Sequence, residues 1–66
     1  MITFLVSDMS CGHCVGTITQ AVKDVDPDAE VRTDLSKHLV EIQPRSCDAE
    51  QLRTAIERAG YTPVVQ

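Results

Sequence analysis

The sequence predicts an α+β fold with the element order βαββαβ, and three features of its patterning point there. Apolar residues alternate in short stretches, recur with helical spacing in two longer ones, and meet turn or capping residues at the junctions. The 66 residues suffice for one small domain, residues 1–66, whose core has little stability to spare. Phe4 and Tyr61 are the only aromatics among the 42% apolar residues, so that core must be largely aliphatic.

Ile2, Phe4 and Val6 alternate with Thr3, Leu5 and Ser7, which is strand spacing over about Ile2–Ser7. Val15, Ile18, Val22 and Val25 then fall on one helical face, giving a helix over Gly12–Val25. Asp26-Pro27-Asp28 ends it, because proline cannot continue a helix. Gly16 inside it costs roughly 0.5–1 kcal/mol relative to alanine, which is either tolerated slack or room for a partner. Ala29, Val31, Thr33 and Leu35 alternate with Glu30, Arg32 and Asp34 as a second strand. A short Ser36-Lys37 turn leads into a third, His38–Ile42, stopped by Pro44, and so close a connection demands an antiparallel hairpin.

Asp48 and Gln51 have the spacing of a capping box, and Cys47 and Leu52 that of a hydrophobic staple around it. Leu52, Ala55, Ile56 and Ala59 form the buried stripe of this second helix, Gly60 stands just past its end, and Pro63 prevents resumption. Thr62–Val65 is a short last strand. Both helices on one face of a four-stranded antiparallel sheet make the ferredoxin-like sandwich. In that topology the Ser36-Lys37 turn lies at the same end as Cys11 and Cys14. Cys47 lies at the other, about 18 Å away along the second helix.

Ten acids against six bases leave a net charge of −4, and the segment Asp24–Asp34 carries all of it, with five acids and Arg32. Such a balance argues against nucleic acid, which needs a basic face. It reads as a solvated surface, with docking of a basic partner as the alternative. Three cysteines, two of them in a CxxC, do not make a disulfide scaffold. No charged-then-apolar leader opens the sequence and no long apolar run interrupts it, so a reduced, cytoplasmic setting is expected.

Met9-Ser10-Cys11-Gly12-His13-Cys14 sits where strand spacing gives way to helix spacing. Cys11 falls in the loop and Cys14 in the first helical turn, where free N–H groups and the positive end of the dipole favour a thiolate. Two soft thiolates in open surroundings suit Cu(I). Zinc prefers four ligands, and only Cys47, His13, His38 and acids could complete such a set. Cys-Gly-His-Cys is also the tetrapeptide of protein disulfide isomerases, which makes a thiol–disulfide redox protein the runner-up. Against it, Ser10 rather than Trp precedes Cys11, and the element order differs. Met9 reads as a core plug rather than a thioether ligand. His13 is expected to be exposed, and His38, on a strand at the cysteine end, to be structural or solvated.

The Asp8–Cys14 stretch and Gly60-Tyr61, in this topology, give a chain that resembles the heavy-metal-associated domain, which includes small bacterial copper chaperones. That family carries G-M-[TS]-C-x-x-C after the first strand and a G-Y pair after the second helix. The resemblance implies that Cys11 and Cys14 are the metal ligands and that Tyr61 packs close to them. It implies a non-enzymatic Cu(I) metallochaperone of the cytoplasm, handing copper by thiolate exchange to the metal-binding domains of a P-type copper-transporting ATPase. A metal-bridged homodimer is a further expectation. Mercury-binding members carry the same loop, so Hg is an alternative cargo alongside Zn. Asp8 replaces the family's glycine and places an acid near the loop, while Pro27-Asp28 replaces a Gly-Val pair at the far end.

Overall fold

A computed structural model describes residues 1–66. The chain runs β1 (Ile2–Val6), α1 (Gly12–Val25), β2 (Glu30–Asp34), β3 (Leu39–Gln43), α2 (Ala49–Arg58) and β4 (Pro63–Val65). The strands form one four-stranded antiparallel sheet, as the patterning predicts, and their order is β2-β3-β1-β4. Register places Phe4 beside Val40 and Val65, and Ile42 beside Ile2 and Val31, so alternate residues line one sheet face. Phe4, Val6, Val40 and Ile42 from that face join Ile18 and Val22 of α1 and Leu52 and Ile56 of α2 in one buried cluster. Burying each such side chain is worth about 1.5–3 kcal/mol, which is why two amphipathic helices settle on this face and no other. No helix is long and apolar enough to cross a membrane.

Capping fixes where α2 begins and ends. The Asp48 carboxylate accepts the Gln51 N–H at 2.9 Å while the Gln51 side-chain oxygen accepts the Asp48 N–H at 3.1 Å, the reciprocal pair the sequence predicts. At the other end Gly60 adopts φ +99. Its N–H reaches the Glu57 carbonyl at 3.0 Å and the Tyr61 N–H reaches that of Ile56 at 3.3 Å, the two bonds of a Schellman ending. Tyr61 is thereby delivered to a set position immediately after the helix.

Four expectations need correction. The β2–β3 connection is four residues, Leu35–His38, because Asp34 pairs with Leu39. Asp34 accepts from the Ser36 hydroxyl at 2.6 Å and the Lys37 N–H at 3.2 Å, tightening the turn. His38 is the last turn residue, at φ +57, and not the first residue of a strand. Val25 is 45% exposed, because the core closes one residue later on a different kind of side chain. That side chain is Asp26, 1% exposed, which the sequence places in a solvated acidic segment.

Asp26 Oδ2 accepts the N–H groups of Arg45 at 2.9 Å, Ser46 at 3.0 Å and Cys47 at 3.1 Å, and Oδ1 accepts the Ser46 hydroxyl at 3.2 Å. One carboxylate thus ties the end of α1 to the β3–α2 loop. Led by the Ser46 N–H and opposed by burial, these donors hold its pKa below the usual carboxylate range. An unfolded aspartate titrates near 3.9, so the stabilisation is complete above about pH 5 and disappears as pH falls through the lower folded value.

Asp26→Ala is expected to lower the thermal midpoint at pH 7 by on the order of 10 °C, because it strands three N–H donors. The gap from wild type should narrow as the pH is lowered below about 4. A gap of the same size at pH 7 and pH 2 in calorimetry would contradict the carboxylate's role. Gly16 faces open space, with no atom within 4 Å of where a Cβ would stand. Gly16→Ala should therefore raise stability by roughly 0.5–1 kcal/mol in denaturant melts, and a loss would show an unseen constraint at this position.

Candidate metal centre

The β1–α1 loop turns tightly after Val6, with the Met9 N–H donating to the Val6 carbonyl at 3.1 Å. Met9 then drops its side chain into the core, where it is fully buried, so it acts as the plug the sequence suggests. Cys11 follows as the N-cap of α1, extended at φ −152, and no side chain caps this helix. Cys14 is the third residue of α1. An N-cap and the third helical residue are neighbours in space, as the Asp48–Gln51 pair also shows. Here the neighbours are two sulfurs, 3.2 Å apart. All three cysteines are free thiols, with Cys11 exposed and Cys14 half-buried against the core.

The surroundings favour the Cys14 thiolate. Its pKa is lowered to about 7, first by the nearby Tyr61 hydroxyl, then by the Ser10 backbone and the Cys11 thiol, with burial opposing. Neutral pH therefore falls within the titration range of Cys14, where an ordinary thiol is almost wholly protonated. The neighbouring Cys14 sulfur, followed by burial, pushes the Tyr61 phenol upward, so it stays protonated. Asp8 supports this arrangement from the loop's other side. Its Oδ1 accepts the Thr62 N–H at 3.2 Å, pinning the residue next to Tyr61.

The other candidates are distributed differently. His13 is exposed on the first turn of α1. His38 stands at the cysteine end, half-buried, with Nδ1 2.9 Å from the Met9 carbonyl oxygen. Cys47 is at the opposite end, where its Sγ donates to the Val25 carbonyl at 3.2 Å. Val25 lies eleven residues along α1 from Cys14, or about 16 Å. No cluster of three or more His, Cys, Asp or Glu side chains is close enough to hold an ion. Within one chain, then, the thiol pair offers two soft donors on an open surface and nothing to close a four-ligand cage.

The model of the heavy-metal-associated domain matches residues 3–62. This chain belongs to the heavy-metal-associated domain family. Among its relatives, the copper chaperone CopZ of Staphylococcus aureus is 33% identical over 61 residues, covering 89% of this chain and 90% of that protein. The copper chaperone Atx1 from Synechocystis PCC6803 superposes with a TM-score of 0.93 at 38% identity, covering 97% of this chain and 100% of Atx1. A gold binding protein superposes with a TM-score of 0.93 at 35% identity over the whole of both chains. Asp26 and Asp8 are the contributors that the sequence did not single out as structural. Their partners lie 19 to 21 and 54 positions away, with no local signal to announce them.

Tyr61→Phe removes the largest influence on Cys14. Its pKa should rise from about 7 toward the ordinary thiol value of about 8.5, slowing its alkylation at pH 7 by up to about 15-fold. Alkylation rates against pH in the reduced, metal-free protein, resolved by peptide mass spectrometry, report this directly. An unchanged Cys14 profile would mean that the tyrosine hydroxyl does not set the thiol's acidity.

Proposed function

We propose that residues 1–66 act as a single copper(I) metallochaperone unit, with Cys11 and Cys14 as the metal ligands. One observation carries the reading. Two thiols, one exposed and one half-buried with its pKa lowered to about 7, stand 3.2 Å apart with no further ligand from their own chain. Thiolates are the donors that select Cu(I), and a pair of them leaves the ion open to a third. That CopZ and Atx1 are copper chaperones supports the choice of copper, and the gold binding relative fits a soft donor pair.

Capture and release follow from the thiol positions. Metal–sulfur bonds are about 2.3 Å long, so two sulfurs spanning one ion must separate to about 4 Å or more. The pair starts at 3.2 Å, and Cys11, in the loop, is the member free to swing outward, while Cys14 is anchored on α1. Loading displaces the remaining thiol protons to water. For delivery, a partner thiolate adds to the ion and makes it three-coordinate. One donor sulfur then leaves and regains a proton, and a second partner thiolate replaces the other. Copper changes neither oxidation state nor charge, and no covalent bond of a substrate breaks, so this is transfer and not enzymatic turnover.

The partner we assign is the metal-binding domain of a P-type copper-transporting ATPase in the same cytoplasm, where a reducing environment keeps both thiols available. A thiol pair of the same kind on the acceptor makes the exchange nearly balanced, so direction is set by what removes copper downstream. A metal bridging the open pairs of two copies of this chain uses the same coordination chemistry.

Cys11→Ser and Cys14→Ser should each weaken Cu(I) binding by more than the roughly 10–100-fold that loss of an outer-shell partner costs, with the fold retained. Cys47→Val should leave affinity unchanged. Titration against a chromophoric Cu(I) chelator under anaerobic conditions measures all three. Wild-type affinity in either serine variant would end the ligand assignment.

A further inference from the structure

Three connections meet at the cysteine end, and one of them holds a residue in an unusual conformation. His38 closes the β2–β3 loop at φ +57, a left-handed geometry rare for side-chain-bearing residues other than Asn, Asp and His. Its own carbonyl accepts the Val6 N–H at 2.8 Å, which anchors the turn beside the end of β1. Its ring is thereby turned toward the facing loop, with Nδ1 2.9 Å from the Met9 carbonyl oxygen. A carbonyl only accepts, so Nδ1 carries the proton, in the neutral ring as in the imidazolium.

The Met9 carbonyl and the Ser10 N–H are the two ends of one planar peptide, so a bond that fixes one fixes the other. Met9 is already tied by its N–H to Val6 and by its buried side chain to the core. Neither tie sets the rotation of the peptide that follows. That rotation decides where Cys11 begins, and no side chain caps α1 to correct it afterwards. A hydrogen bond at a carbonyl also polarises its peptide and strengthens the N–H as a donor. The Ser10 backbone is among the groups that favour the Cys14 thiolate.

We propose that His38 is a positioning residue for the cysteine pair. By donating Nδ1–H to the Met9 carbonyl from the facing loop, it fixes the Met9–Ser10 peptide and, through it, the placement of Cys11 beside Cys14. Its consequence for copper rests on the function proposed above, whereas its consequence for the loop does not.

His38→Gly and His38→Asn separate the donor from the backbone, since both residues accept a positive φ and only Asn keeps an N–H to donate. In the metal-free protein, the Ser10 amide resonance should move and its hydrogen exchange quicken in His38→Gly, and both should return toward wild type in His38→Asn. Cu(I) affinity against a chromophoric chelator should fall about 2- to 10-fold in the glycine variant, the worth of one ordinary hydrogen bond, and recover with asparagine. If the glycine variant does not fold, His38→Asp takes its place, with the same backbone tolerance and only an acceptor when ionised. An unmoved Ser10 amide in the donor-less variant overturns the proposal, and so does an asparagine variant that fails as glycine does while melting at the wild-type temperature. If the wild-type protein itself does not hold Cu(I), the function proposed above fails, and the amide measurement still decides the role of His38.

Discussion

Side chains at the N-cap and at the third position of a helix stand next to each other, and this chain uses that geometry twice, to opposite ends. In α2 the positions hold Asp48 and Gln51, which satisfy free backbone donors and secure the start of the helix. In α1 they hold Cys11 and Cys14, which leave the helix without a side-chain cap and put two sulfurs in contact. A missing cap costs about 0.5–2 kcal/mol, a sizeable share of what a small domain has. The uncapped end leaves N–H groups and the positive dipole end facing the sulfurs, and these favour thiolate over thiol. The chemistry of the site and the weakness of the helix end are one feature.

That weak end is supported from outside the helix. Met9 anchors the loop in the core, the Asp8 carboxylate holds Thr62, and the Schellman ending of α2 delivers Tyr61 to the Cys14 sulfur. His38 reaches the loop from the β2–β3 turn. At the opposite end the Asp26 carboxylate gathers the β3–α2 loop. Polar side chains bonded to backbone therefore close both ends of a sandwich whose aliphatic core holds only the middle. Cys47 belongs to that second closure, half-buried and donating to Val25, far from the sulfur pair.

How much of this could be read in advance follows from how local each signal is. The span of α1 was legible because apolar spacing and Pro27 bound it from both sides, and the capping box because its partners are three residues apart. The thiol pair was legible for the same reason, as was Gly60, whose place after a helical stripe calls for a left-handed residue. Asp26 was not, because a carboxylate bonded to N–H groups some twenty positions away looks the same in sequence as one bonded to water. Helical spacing puts Val25 on the core face, but spacing gives direction and not how far along the helix the cover extends. His38 continues the alternation of β3, and only its pairing partners reveal that the strand starts one residue later. The link from Asp8 to Thr62 spans nearly the whole chain, so the fold had to be known before the bond could be seen.

Two thiolates on an open surface, without a closed ligand set, suit a soft ion that tolerates low coordination. Native mass spectrometry of the reduced protein under anaerobic conditions, given Cu(I) and an excess of Zn(II) together, puts that preference to a direct choice. The expected result is bound copper and no zinc, with the metal lost when Cys11 or Cys14 is replaced. Zinc retained in place of copper would contradict it.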